Sequence, residues 1–230
     1  MSIKPILFNT EMVKAIKAGR KTQTRRIVKN QDGIHPRRSN IGFFGWDDGH
    51  GYQMMPPCKE NDILWVRETW RSALGTMHTY AHGEVVESGD WHDGFEYRSG
   101  GYHFPDGFKE SDDEFHLSEI RSGGSWNPSI FMPKEAARIF LRVKDVRIER
   151  LQDMTEEQAE KEGCFGWYFN ITCGPFGNDD DPDEGTAVED FQRVWDTTIK
   201  PADHDKYGWD ANPLVWVIEF ERCEKPERWC

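Results

Sequence analysis

"TEMVKAIKAGRKTQTRRI", residues 10–27, changes its period half-way, and that change decides the class of fold. In the first half Met12, Val13 and Ile16 form an apolar helical stripe; Thr10 is placed to cap it, and Gly19 stands where a left-handed C-terminal glycine belongs. In the second half Thr22, Thr24 and Arg26 alternate with Gln23 and Arg25, as side chains do on opposite faces of a strand. "KPILFN" (4–9), just ahead, reads as a short strand. Strand, helix and strand thus follow one another within the first 27 residues.

The rest of the chain continues the mixture. "DILWVRETW" (62–70) alternates Ile63, Trp65 and Arg67 against Leu64 and Val66 and reads as a strand. "ARIFLRVKDVRIERL" (137–151) reads as one long strand or a bent pair, and "PLVWVIEFE" (213–221) as a buried strand. "MTEEQAEKEG" (154–163) predicts a helix with Thr155 and Gln158 at capping-box spacing and Gly163 as its stop; Thr186 and Glu189 repeat the spacing before "AVEDFQRVWDTTI", where Phe191, Val194 and Trp195 share a side. Residues 30–61 are rich in Gly, Pro, Asn and Asp and read as loop. From about 71 to 125 the pattern dissolves into Gly, Ser, Asp, His and aromatics, which predicts a loop-rich insertion with local folding of its own. The expectation is an α+β fold with a curved or barrel-like sheet, a single domain over 1–230 interrupted by that insertion.

Charge narrows the function. The net charge of the 230 residues is -12, yet residues 1–38 carry ten Lys and Arg against Glu11 and Asp32, a balance of +8 that leaves -20 for the remainder. An acidic chain of this kind repels phosphate over most of its surface, so indiscriminate nucleic-acid binding is excluded while a local anion-attracting mouth is not. Four cations and two threonines in "GRKTQTRRI" (19–27) mark where that mouth would be. No run approaches the ~20 apolar residues of a membrane span, and "MSIKPILFNT" does not read as a signal peptide. Five cysteines, none in a C-x-x-C pair, favour free thiols in a reducing compartment, so a cytoplasmic protein is expected.

Taken in order, "GRKTQTRR", "NDILWVRE", "LQDMTEEQAEKEG" and the terminal "VWVIEFE" strand resemble the ASCH-domain family, a branch of the PUA-like barrels. "WNPSIFMPKEAARIFLRV" (126–143) and "WDANPLVWVIEF" (209–220) are similar to runs in phage and prophage members, which implies a host cytoplasm for a phage-encoded chain. The resemblance spans both ends and most predicted strands but not residues 71–125. It implies a small curved barrel with flanking helices. It also implies an activity, since small family members remove the acyl group from N4-acetylcytidine. Their motif positions correspond here to Lys21, Thr24, Arg26 and Glu162. The chain departs from those amidohydrolases in its long insertion and in Arg25, where they carry an apolar residue.

Amide hydrolysis suits these residue types. A threonine hydroxyl is a poor nucleophile until a base takes its proton, and a lysine is that base only when its pKa falls towards neutrality. Arg20, Arg25 and Arg26 are the adjacent cations expected to lower Lys21, Arg26 suits an oxyanion, and Glu162 a proton shuttle; a tight Glu162–Lys21 pair would instead raise the lysine. Glu68, closing "LWVRE", is expected to face a cleft. Trp65 is a candidate platform for a base, with Trp70, Phe43, Phe44 and Trp46 behind it, although strand tryptophans equally serve the core. The expected catalytic set is Lys21, Thr24 and Glu162, and the substrate-binding set Arg26, Glu68, Trp65 and Arg25, for a modified nucleoside or nucleobase. The alternative is a PUA-like module that binds RNA or DNA through the basic strand without chemistry.

No metal or organic cofactor is expected. His78, His82 and His92 lack the helical H-E-x-x-H context of a metal site, and "NDDDPDE" (178–184) lacks the glycine and alternation of a calcium loop. Neither G-x-x-x-x-G-K-[ST] nor G-x-G-x-x-G occurs.

Overall fold

The computed structural model describes residues 1–29, 37–38, 46–47, 53–81, 84–104, 115–164, 185–227 and 229. The chain is α+β. It opens with strand β1 (Ile3–Leu7), helix α1 (Thr10–Lys17) and strand β2 (Gln23–Ile27). The cap differs from expectation. Asn9 Oδ1 accepts the Met12 backbone N–H at 2.8 Å, so Asn9 caps the helix and Thr10 is its first residue. At the other end Gly19 (φ +73°) closes a Schellman turn: Gly19 N–H donates to Ile16 and Arg20 N–H to Ala15, at 3.0 and 2.9 Å.

Five strands form one sheet in the order β1-β6-β11-β12-β2, where β6 is Ile63–Arg67, β11 Phe140–Arg150 and β12 Leu214–Cys223. β11 is a single long strand. β12 and β2 run antiparallel, with Val215, Val217 and Glu219 facing Ile27, Arg25 and Gln23. No closed barrel forms among the described residues.

By its internal contacts the chain divides into two compact units. The first comprises Met1–Lys4, Ala15–Ile63 and Leu141–Arg222. Its main core packs helices α2 (Glu156–Lys161) and α3 (Ala187–Thr198) over one face of β12, with Ala159, Phe191 and Trp195 against Val215 and Val217. Both helices begin with the capping boxes expected at Thr155–Gln158 and Thr186–Glu189. Val28, Leu214 and Trp216 make a smaller cluster.

Within residues 30–61, read above as loop, three two-residue strands pair antiparallel: β3 (Arg37–Arg38), β4 (Trp46–Asp47) and β5 (Gln53–Met54).

The second unit comprises Pro5–Lys14, Leu64–Phe140 and Cys223–Cys230. It overturns the expectation of a loop-rich segment at 71–125. Strands β7 (Trp70–Ala81), β8 (Glu84–Tyr97), β9 (Tyr102–His103) and β10 (Phe115–Ser122) form an antiparallel sheet in the order β10-β7-β8-β9. β7 and β8 pair over eleven registered positions, and that length of ladder offsets poor local propensity. Gly94 serves the packing here, because a Cβ at that position would stand 2.4 Å from the Phe104 ring.

Candidate functional site

The site is built where α1 ends and β2 begins. After the Schellman turn, Lys21 N–H also donates to Ala15 carbonyl, at 3.2 Å, and Thr22 N–H to Lys161 carbonyl, at 2.9 Å. The C-terminal end of α2 is thereby tied to the start of β2. Gly163 makes the approach feasible: at φ +94° its absent Cβ would meet the Cβ atoms of Ala15 and Lys21 at 3.1 and 3.4 Å. Lys21 Nζ then donates to Glu162 twice, to the main-chain carbonyl at 2.8 Å and to carboxylate Oε2 at 2.6 Å. The two side chains are 0% and 3% exposed.

Arg25 completes the cluster. Its Nη1 donates to the other carboxylate oxygen, Glu162 Oε1, at 3.1 Å, and its Nη2 to Gln158 Oε1 at 3.0 Å and Glu149 Oε2 at 3.3 Å. Gln158 Oε1 also accepts the Thr155 N–H of the capping box, so one amide both starts α2 and holds Arg25. The guanidinium lies 5.7 Å from the centre of the Phe191 ring. Glu149 passes the network outward to Arg147, whose Nη1 reaches Asp145 and Glu219 at 3.1 and 2.6 Å.

Burial is the main cause that pulls Lys21 below its ordinary pKa; the charge and hydrogen bond of Glu162 push it back up, and Cys164 adds to that rise. Arg26 lowers it further, but less than any of these. The expectation that neighbouring arginines do the lowering is therefore corrected: desolvation dominates, Arg20 is exposed, and Arg25 is committed to carboxylates. Half-buried Arg26 is itself lowered by burial and raised by Glu162. Glu162 thus bonds to Arg25 and acts electrostatically on Arg26, residues that point to opposite faces of β2.

Thr24 is buried and paired with Ile218 across the sheet. Alternation places it on the face of Arg26, away from Gln23 and Arg25, and among the described residues no hydrogen bond joins its hydroxyl to Lys21.

Glu68 and Trp65 lie elsewhere and are differently used. Glu68 does not face a cleft. It is 1% exposed and belongs to the second unit, where Arg138 grips both its oxygens at 2.9 and 3.0 Å and Ser99 Oγ donates to Oε2 at 2.5 Å. The Arg138 guanidinium stacks 3.7 Å from the centre of the Tyr97 ring. Trp65 is buried edge-to-face against Trp229, centroids 5.6 Å apart, with Arg67 over its ring, so it is core rather than platform. Half-buried Trp70 packs edge-to-face on Phe95. Phe43, Phe44, His82 and residues 178–184 lie outside the described residues, as do the side chains of Trp46, His78 and His92.

Sequence reasoning misses Glu149, Gln158 and Cys164 as neighbours of the cluster. Gln158 alone left a signal, its capping-box position. Among the described residues no group of three or more His, Cys, Asp or Glu is arranged to hold a metal ion, and no helix is long and apolar enough to cross a membrane. Comparison with protein-family models, curated proteins and solved structures finds no match to the chain.

Proposed function

We propose that the protein is an ASCH-type, PUA-like hydrolase that cleaves the amide of an N4-acylated cytidine or a related modified nucleoside or base. The observation that carries this reading is the buried contact between Lys21 and Glu162, 141 positions apart in the chain. Burying a titratable amine against a carboxylate is costly for a fold, and such groups concentrate where protons are moved. In its neutral form Lys21 Nζ takes the Thr24 hydroxyl proton as Oγ1 bonds to the amide carbon, a transfer that requires the bound substrate to bring together two side chains that share no hydrogen bond in this structure. Arg26, on the face of β2 that Thr24 occupies, stabilises the oxyanion. The carbon–nitrogen bond then breaks, the leaving amine takes a proton relayed through Lys21 and Glu162, and water hydrolyses the acyl-threonine ester to free acid.

The test is a panel of N4-acyl cytidines followed by ultraviolet absorbance, with Lys21→Ala as control. Hydrolysis by the native protein and a loss of about 100-fold or more in the variant is the expected result. A panel left intact, or a fully active Lys21→Ala protein, sinks the proposal.

The binding-module alternative needs cations turned to solvent. Lys21 and Arg25 have 0% side-chain exposure and are matched by carboxylates, so little of the basic strand is offered to phosphate. Retention on RNA that weakens as salt rises would restore that alternative.

A further inference from the structure

We propose that Arg25 is a positioning residue that decides which proton the buried cluster gives up, leaving Lys21 as a neutral amine while Glu162 remains an anion. Its catalytic meaning rests on the hydrolase reading, but the proton inventory does not. The three innermost side chains, Lys21, Arg25 and Glu162, are 0%, 0% and 3% exposed and sum to +1 when all are ionised. Burial penalises net charge. A guanidinium does not surrender its proton, so the cluster reaches neutrality only when Lys21 loses one. What remains is a balanced Arg25–Glu162 pair, already hydrogen-bonded through Oε1.

Without Arg25 the same step changes sign. Lys21 and Glu162 alone sum to zero, and deprotonation would strand a buried anion. Arg25 therefore converts Glu162 from a group that holds the lysine proton in place into one whose charge is already satisfied. The other facing groups do not cancel this. From β2, Arg26 adds positive charge; beyond α2, Cys164 opposes. From β11, Glu149 lies 3.3 Å from Arg25, but it is 20% exposed and also bound to Arg147, which in turn meets Asp145 and Glu219. Gln23 and Gln158 are neutral, and α3 presents the Phe191 ring.

The experiment is a nuclear magnetic resonance titration of protein labelled with carbon-13 at the lysine ε-carbon, the Lys21 signal being assigned by its loss in Lys21→Met. In the native protein Lys21 should titrate below the ordinary lysine value of about 10.4. Arg25→Gln removes the charge and keeps a donor, and should raise the midpoint by about one pH unit or more, a tenfold change in proton affinity. Arg25→Met, which removes the charge and leaves no buried polar group to satisfy, should raise the midpoint in the same direction. An unmoved or lowered midpoint in either variant, or a native Lys21 titrating in the ordinary range, overturns the proposal. If only one of the two variants folds, its midpoint decides. The acid limb of any hydrolysis profile should move with the midpoint. A midpoint that moves in a protein hydrolysing no nucleoside refutes the hydrolase reading alone; hydrolysis with an unmoved midpoint refutes the role of Arg25 alone.

Discussion

Glu162→Leu should be the most damaging single substitution in the first unit, and its damage should depend on pH. The carboxylate is the common partner of Lys21 at 2.6 Å and Arg25 at 3.1 Å, both with 0% side-chain exposure, so removing it leaves two cations facing each other in a dry site. Breaking a buried pair in this way costs about 3–5 kcal/mol. An independent limit comes from the lysine. The cluster can relieve itself by deprotonating Lys21, whose ordinary value is 10.5; at pH 7 that costs about 5 kcal/mol at 1.36 kcal/mol per unit. The two figures agree. The sign follows from linkage: loss of Glu162 removes what raises Lys21, so the folded pKa in the variant falls below that of the native protein, and both lie under 10.5. The extra penalty is fully present below the variant's value and is lost as pH rises through the native one. Urea unfolding at pH 7 and pH 10 measures it. A loss of about 4 kcal/mol at pH 7 that shrinks by at least half at pH 10 is expected. A loss under about 1 kcal/mol, or one equal at both pH values, would refute the claim that this carboxylate neutralises a buried titratable amine.

Thr24→Val removes only the hydroxyl of a buried strand residue, so it should cost about 1 kcal/mol in unfolding, the ordinary loss for one hydrogen-bonding group, while abolishing nucleoside hydrolysis. Gly163→Ala should cost about 1–2 kcal/mol, because a side chain at φ +94° would also crowd Ala15 and Lys21; thermal unfolding reads it. Glu68→Ala strips Arg138 of a two-pronged partner and should cost about 3–5 kcal/mol in urea unfolding, yet leave the Lys21 titration unmoved. Thr186→Ala removes the hydroxyl that accepts Glu189 N–H and should cost about 1 kcal/mol in the same measurement.

What the sequence discloses is what local chemistry determines. The α2 and α3 capping boxes, the Gly19 and Gly163 stops, and strands β6, β11 and β12 are legible because each depends on residues within a few positions of one another. The β7–β10 sheet is not, for a physical reason. Its strands contain Gly75, Ser88, Gly89, Asp90 and Gly94, residues poor in strand propensity, and their stability comes from cross-strand registers that no short window contains. The Lys21–Glu162 pairing is reached through motif resemblance, since 141 positions separate the partners. Arg25 is read in sequence as one more neighbouring cation; its attachment to Glu162, Gln158 and Glu149 depends on how α2 and β11 meet β2. Glu68 shows the converse. The strand that carries it is legible, but the arginine that closes over it lies 70 positions away.

The two buried carboxylates separate a structural ion cluster from a poised one. Glu68 is matched by a guanidinium in two-pronged contact and by the Ser99 hydroxyl, and Arg138 also donates to Ser99 Oγ and the Gly100 carbonyl. Its partner is a guanidinium, which keeps its proton, and the two-pronged contact holds the chain. Glu162 divides its oxygens between a group that keeps its proton and a group that can lose it. That division is unnecessary for cohesion, because α2 and α3 already pack an apolar core on the same face of the sheet, and a hydrophobic pair in place of the ions would hold it as well or better. A carboxylate that binds one fixed and one releasable cation, both out of water, is what the proposed proton transfer requires.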